Sequence, residues 1–350
     1  MAKTVSQRDN FIIADRIIHP GQTVTLDLPI TQLYTHTPIN LPVHIIHGRK
    51  SGPKIFICAA IHGDELNGVE IIHRLLEHKS LQRLRGTLLA VPIVNVHGFI
   101  THSRYLPDRR DLNRSFPGSS KGSLAARTAY IFMDQIVKQC DYGIDLHTAA
   151  IHRDNLPQIR ANLDDDQTLE LAREFDVPVL INSDLRDGSL REAAAELDIP
   201  MLLYEGGEAL RFNEVVIRAG VRGIINVLRK LDMLPASKSR RRKHIDPIIA
   251  RSSTWMRAPS SGILRTMVKM GARVNKRDLI GVIVDPIGTS KVNIYAPFDG
   301  IVIGRSTLPL ANEGDALLHI ARFGHIDTAE ERVEEFQEVF QPDEPNGRIP

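Results

Sequence analysis

At 350 residues, with 42% hydrophobic and 25% charged side chains, the chain has the composition of a soluble globular protein of about two domains, at roughly 100 to 200 residues each. Basic and acidic residues number 44 and 42, leaving a net charge of +2, which excludes a global field directed at nucleic acid or at a membrane surface. No stretch approaches the roughly 20 apolar residues needed to cross a bilayer, and the N-terminus lacks a signal peptide's apolar core and cleavage pattern. Cys58 and Cys140 are too few for a disulfide scaffold, so a reducing cytoplasm is expected.

The first 50 residues carry short alternating segments, Thr23 to Leu28 and Leu41 to Ile46, that predict an opening antiparallel meander. From Lys54 the texture changes. KIFICAAIHG is a continuous apolar run and GVEIIHRLLEH has helical spacing, so a buried strand feeds a helix. TLLAVPIVNVHGF reads as a second buried strand and LAARTAYIFMDQIVKQC as a helix. YGIDLHTAA, DVPVLINS and IPMLLYEGG read as further strands, interleaved with helices at TLELAREF and LREAAAEL, and a helix over 213–231 closes the domain. This alternation predicts an α/β domain over residues 1–235, a mixed sheet flanked by helices.

Residues 236–250 read as an exposed linker. Their basic run, Arg240 to Lys243, has a second reading as an anion-binding patch, which the absence of interleaved aromatics disfavours. Beyond it, Ala258-Pro-Ser-Ser-Gly-Ile263 recurs as Ala296-Pro-Phe-Asp-Gly-Ile301, and such repeats imply duplicated strand units. Residues 251–325 are therefore predicted all-β, and residues 326–350 form an acidic tail that begins as a short helix and then frays. The stretch from about 255 to 321 resembles a biotinyl/lipoyl-like barrel-sandwich domain. Such domains carry a modifiable lysine in the hairpin between their halves. Here the hairpin reads DPIGTSKVNIYAP, Lys291 is offset, and the resemblance implies an unmodified structural or interaction domain.

The chemistry is concentrated in the α/β half. His62-Gly63-Asp64-Glu65 stands where a strand gives way to a helix, and its spacing lets both outer side chains converge. Zinc binds imidazole nitrogen and carboxylate oxygen at about 2.0 to 2.2 Å, and a catalytic site needs three protein ligands and an open position. His147 is the best third candidate, because it also ends a short apolar strand and ligands in open α/β sheets gather at that edge. Asp145, on the same strand face, can orient an imidazole. Most of the 14 histidines, His319 among them, read as surface or satisfied core residues.

Together, His62-Gly-Asp-Glu65, Asp111-Leu-Asn-Arg-Ser-Phe-Pro-Gly118, Asp145-Leu-His147 and Tyr204-Glu-Gly-Gly207 closely resemble the succinylglutamate desuccinylase/aspartoacylase family of zinc carboxypeptidase-like hydrolases. The resemblance spans about residues 30 to 230. It implies a zinc carboxypeptidase-like sheet and one Zn²⁺ per chain, held by His62, Glu65 and His147. It also implies Glu205 as general base and Asn113 with Arg114 against a substrate carboxylate. A second arginine is expected at the tetrahedral oxyanion; Arg104 matches the family pattern, with Arg109 and Arg110 as alternatives in the same loop.

Each role has a physical basis. Zinc lowers the pKa of a coordinated water to about 7, and a nearby carboxylate can pass the proton to the leaving amine. Glu205 fits that task, with Glu208 as its nearest rival. The planar fork of Arg114 suits bidentate carboxylate binding. A bland reading remains for the arginines, which could merely pair with Asp108 and Asp111.

The expected reaction is zinc-dependent hydrolysis of an amide N-acyl bond on a small amino-acid-like substrate. One alternative is a metallocarboxypeptidase acting on a peptide or polyglutamate tail. A non-catalytic binding module is a third reading, which the intact ligand set and Glu205 oppose. Expected partners are a small N-acyl amino acid or a short peptide, with no nucleic acid, no membrane, and a homo-oligomer left open.

Overall fold

In the first part of the chain, two sequence periods decide which strands face water and which do not. Along Pro38–His47 burial alternates residue by residue, the pattern of a strand with one solvated face. The second half of Lys50–Ala59 is buried continuously, as a strand covered on both faces must be. The computed structural model describes residues 8–183, 186–236 and 245–340. It divides into two compact units, each assembled from separated segments. The first comprises Met1–His147, Leu185–Leu203 and Gly223–Arg241; the second comprises Thr148–Asp184, Tyr204–Arg222 and Arg242–Pro350.

In the first unit the strands run in the order Thr23–Gln32, Pro38–His47, Arg85–Val91, Lys50–Ala59, Tyr142–Ala149. The outer pairings, Thr23–Gln32 with Pro38–His47 and Pro38–His47 with Arg85–Val91, are antiparallel. Lys50–Ala59 lies parallel to both of its neighbours. Helix Asn67–Leu76 buries Ile71, Ile72 and Leu75, and helix Leu124–Gln135 starts where Ser123 accepts from the Ala126 N–H, satisfying one of the donors a helix start leaves open. Phe132 is fully buried and packs edge-on against Phe56 at 5.9 Å and Phe116 at 6.2 Å. Burying one such ring stabilises the fold by about 1.5–3 kcal/mol.

The second unit is strand-rich. A four-stranded antiparallel sheet runs Lys291–Tyr295, Leu279–Val284, Gly262–Thr266, Leu310–Ala311. Ser252–Arg257, Ala316–Arg322 and Gly300–Ser306 pair antiparallel in a second layer, and Leu264, Ile280, Val302 and Leu318 share the core that these strands enclose. Both repeat alanines, Ala258 and Ala296, are buried, and both repeat glycines open strands.

The mixed α/β class and the separate antiparallel region agree with the sequence reading; several boundaries do not. The strand read through TLLAVPIVNVHGF stops at Val91, because Pro92 has no N–H to donate. Asn95 then caps a short helix, Val96–Ile100, by accepting from Gly98. Arg153–Ala161 is a strand that its charges and proline concealed, yet its middle is buried. It pairs with Val179–Asn182 and with Gly300–Ser306. Within the expected linker, Ile248–Ala250 is a strand parallel to Val179–Asn182; the basic run Arg240 to Lys243 lies outside the described residues. The C-terminal tail opens on a helix from Ile326 to Phe340 that buries Ala329, Val333, Phe336 and Phe340; residues 341–350 lie outside the described residues.

Candidate metal centre and active site

Parallel pairing of Lys50–Ala59 with Tyr142–Ala149 sets Ala59 opposite Leu146, so both chains deliver their next residues to the same sheet edge. His62 follows one strand; His147 lies two residues before the end of the other. The loop bearing His62 is pinned where Val94 and Asn95 donate to the carbonyls of Ala59 and Ala60. Gly63 is required at this point, since a Cβ there would fall 1.9 Å from the Gly98 carbonyl carbon.

His62, Glu65 and His147 are all buried and offer ligand atoms within 4.8 Å of one another. His62 Nδ1 lies 2.6 Å from Glu65 Oε1, and His147 Nδ1 lies 2.8 Å from Glu65 Oε2. The remote ring nitrogens are held as well. His62 Nε2 is 3.1 Å from Asp111 Oδ1, and His147 Nε2 is 2.7 Å from Asp145 Oδ2. A carboxylate on the far nitrogen fixes the tautomer and aims the near nitrogen's lone pair inward, as in metal-ligating histidines. Asp145 in turn accepts from the Cys58 thiol at 3.3 Å.

Charge supports the same reading. Glu65, Asp111 and Asp145 gather around two imidazoles with Arg104 as the cation shown beside them, and buried charge of one sign calls for compensation. Burial opposes protonation of His62, but the carboxylates of Glu65 and Asp111 outweigh it and raise its pKa. His147 is likewise raised, burial being overcome by Asp145 and Glu65. Burial also opposes ionisation of Glu65, yet the facing imidazoles hold its carboxyl well below the usual range. A divalent cation would take over the role that protons play there, competing for the same nitrogens. Two imidazoles and one carboxylate are a donor set that fits zinc.

Arg104 reaches this cluster. Its Nε and Nη2 donate to Asp111 Oδ2 at 3.2 and 2.9 Å, and its Nη1 lies 3.5 Å from Glu65 Oε1. Arg109 and Arg110 are exposed, while Asp108 accepts from the backbone N–H groups of Arg110 and Ala125. Asp111 thus holds both a ring and a guanidinium, a role that its place at the head of the motif Asp111 to Gly118 did not reveal. Asn113 is buried and its Oδ1 accepts from the Leu190 N–H at 2.9 Å. Arg114 is exposed, and its guanidinium donates to the Asn113 carbonyl.

Glu205 lies in the second unit, on the strand Met201–Glu208. Asn155 Nδ2 donates to its Oε1 at 2.7 Å, and Arg160 Nε lies 2.6 Å from its Oε2. Neighbouring Tyr204 is fully buried, stacks on Phe175 at 5.0 Å and donates to the Val216 carbonyl, which anchors the backbone beside the carboxylate. Glu208 is engaged otherwise: its Oε1 accepts from the His152 N–H and the Thr307 hydroxyl. Asn155 and Arg160 escaped the sequence reading because their strand did.

Residues 51–231 match the succinylglutamate desuccinylase/aspartoacylase catalytic domain, and the chain belongs to that family. As a member of it, the protein is an amidohydrolase acting on C–N bonds. One relative, the N-alpha-acetyl-L-2,4-diaminobutyric acid deacetylase of Halomonas elongata, is 26% identical over 303 residues, covering 81% of this chain and 86% of the relative. Among solved structures, the product-bound ectoine utilization protein EutE (DoeB) of Ruegeria pomeroyi superposes with a TM-score of 0.76 at 23% identity, covering 91% of this chain and 98% of that one. A succinylglutamate desuccinylase/aspartoacylase of Rhodobacter sphaeroides gives 0.76 at 24% identity, covering 87% and 95%. These structural likenesses show the fold. Among the described residues no helix is long and apolar enough to cross a membrane.

Proposed function

We propose that the protein is a zinc deacylase that frees the α-amine of a small amino acid retaining its carboxylate, with N-α-acetyl-L-2,4-diaminobutyrate as the first candidate substrate. The observation that carries this reading is the convergence of His62 Nδ1, His147 Nδ1 and Glu65, with Asp111 and Asp145 on the remote nitrogens. The relative from Halomonas elongata supplies the candidate substrate.

A zinc ion bound there would polarise the scissile carbonyl and make water acidic enough to attack near neutral pH. Arg104, fixed by Asp111 with Nη1 turned toward His62 and Glu65, donates to the oxyanion as the carbonyl carbon becomes tetrahedral. Glu205 takes the proton of the attacking water and delivers it to the departing nitrogen. The C–N bond breaks, and a carboxylate and a free amine leave. Arg114 and the amide nitrogen of Asn113 hold the carboxylate of the amino-acid part. Cys58 and Cys140, both free and buried, support a reducing cytoplasmic setting.

The test combines metal analysis of the purified protein with a hydrolysis panel: N-α-acetyl-L-2,4-diaminobutyrate, N-acetyl-L-aspartate, N-succinyl-L-glutamate, and α- and γ-glutamyl dipeptides. Stoichiometric zinc with turnover of an N-acyl amino acid is the expected result. Preferential release of terminal glutamate would make the protein a carboxypeptidase instead, and absence of both zinc and turnover would sink the proposal.

A further inference from the structure

Asn155 and Gly304 stand opposite each other where Arg153–Ala161 pairs antiparallel with Gly300–Ser306. Gly304 also faces His319 on the next strand, and His319 faces Trp255 beyond it. Four strands thus bring a carboxamide, a bare backbone position and two rings into one row. A Cβ at Gly304 would lie 2.6 Å from Asn155 Oδ1, 3.1 Å from His319 Cβ and 3.4 Å from Trp255 Cη2. The glycine is the reason the carboxamide fits.

The far side of this row is closed. Trp255 and His319 stack at 4.7 Å with their planes 8° apart, and the Arg153 guanidinium lies 5.2 Å from the Trp255 ring centre. His319 Cβ is fixed by its backbone, whereas Asn155 Oδ1 ends a side chain with two rotatable bonds. Any side chain at Gly304 would therefore displace the carboxamide first.

The carboxamide itself holds an unfavourable orientation. Its Oδ1 is buried with no hydrogen-bond partner among the described residues, while its Nδ2 donates to Glu205 Oε1 at 2.7 Å. Exchanging the two ends would set a carbonyl oxygen against a carboxylate. A buried acceptor left unpaired is destabilising, so the orientation is dictated by Glu205.

We propose that Gly304, in a C-terminal strand, positions the carboxylate of Glu205 by leaving room for the Asn155 carboxamide that donates to it. This rests on the reading of Glu205 as the base, and it assigns the C-terminal strands a task in catalysis. Gly304 and Asn155 are positioning residues; neither needs to touch the substrate. With Arg160 on the other carboxylate oxygen, Asn155 leaves Glu205 one orientation in which to collect and return a proton.

The experiment uses the full-length, zinc-loaded protein with Gly304→Ala, Asn155→Ala, the double variant and Glu205→Gln. N-α-acetyl-L-2,4-diaminobutyrate is the probe. Misplacing a catalytic group by about 1 Å costs up to roughly a hundredfold in rate. Each single variant should lose about ten- to a hundredfold in kcat with KM and zinc content little changed. The double variant should be no slower than the slower single one, since both act through one contact. Losses that multiply in the double variant, or a fall in kcat that only tracks lost zinc or lost folded protein, would overturn the proposal. A crystal structure of Gly304→Ala gives a readout that needs no turnover: the Asn155 amide should have left Glu205, and an amide still within hydrogen-bond distance would refute the mechanism. If Glu205→Gln keeps normal turnover, the assignment of the base fails. If it is inactive while Gly304→Ala and Asn155→Ala are not, only the positioning role fails.

Discussion

Asp111 Oδ1 lies 3.1 Å from His62 Nε2, while the second oxygen of the same carboxylate receives two N–H groups of Arg104. One side chain therefore orients both a metal-ligand candidate and the arginine assigned to the oxyanion. Burial opposes ionisation of Asp111, but His62 and Arg104 hold its carboxyl well below the usual range, so it accepts from both across ordinary pH.

Asp111→Asn keeps the shape of the side chain and removes its charge. Losing such an outer-shell partner costs roughly 10- to 100-fold in metal affinity or activity. Zinc affinity, measured by chelator competition, should fall within that range, and kcat should fall further because Arg104 is released. An Asp111→Asn protein with unaltered zinc affinity would remove the residue from this role.

His62→Ala and His147→Ala should each abolish stoichiometric zinc without unfolding the chain. The first unit's core is built around Phe56, Phe132 and their neighbours, and the two histidines are not part of it. Metal analysis and circular dichroism on the same preparations check both halves of this expectation; normal zinc occupancy in either variant would refute the ligand set.

Arg114 is exposed, so Arg114→Ala should leave the fold intact and act on the substrate alone. For substrates bearing a free α-carboxylate, KM should rise, whereas the corresponding primary amides should be nearly indifferent. Equal losses on both would show that the arginine does not read the carboxylate.

His319 supplies a pH dependence unrelated to the metal. Burial, reinforced by the positive charge of Arg160, pushes its pKa down from 6.5 to about 3. The folded state keeps the ring neutral while the unfolded chain takes up a proton below pH 6.5. Stability is therefore lost as pH falls from about 6.5 toward about 3, by at most about 1.4 kcal/mol per pH unit. His319→Phe retains a ring on Trp255 and removes the titration. Its melting temperature should fall less than that of the wild type between pH 7 and pH 5, and parallel curves would exclude His319 as the source.

Much of the architecture is legible in the amino-acid sequence. The strand Lys50–Ala59 and the helix Asn67–Leu76 announce themselves because hydrophobic period is a local property, and the same is true of the paired segments Thr23–Gln32 and Pro38–His47. The convergence of His62, Glu65 and His147 was readable for a related reason: each stands within a few residues of a strand end or a helix start, and parallel strands gather such ends at one edge.

What stayed hidden has a common cause. Arg153–Ala161 carries a proline and several charges, so no local pattern marks it as a strand; it is one because Val179–Asn182 and Gly300–Ser306 flank it. Asn155 meets Gly304, and Asp111 meets His62, through registers and loop paths joining segments far apart in the chain. The amino-acid order alone determined which groups could do chemistry, because residue type and short-range spacing are written in it. Only the tertiary structure decided which carboxylate steadies which ring and which glycine makes room for which amide, because those choices depend on strand register summed over the whole fold.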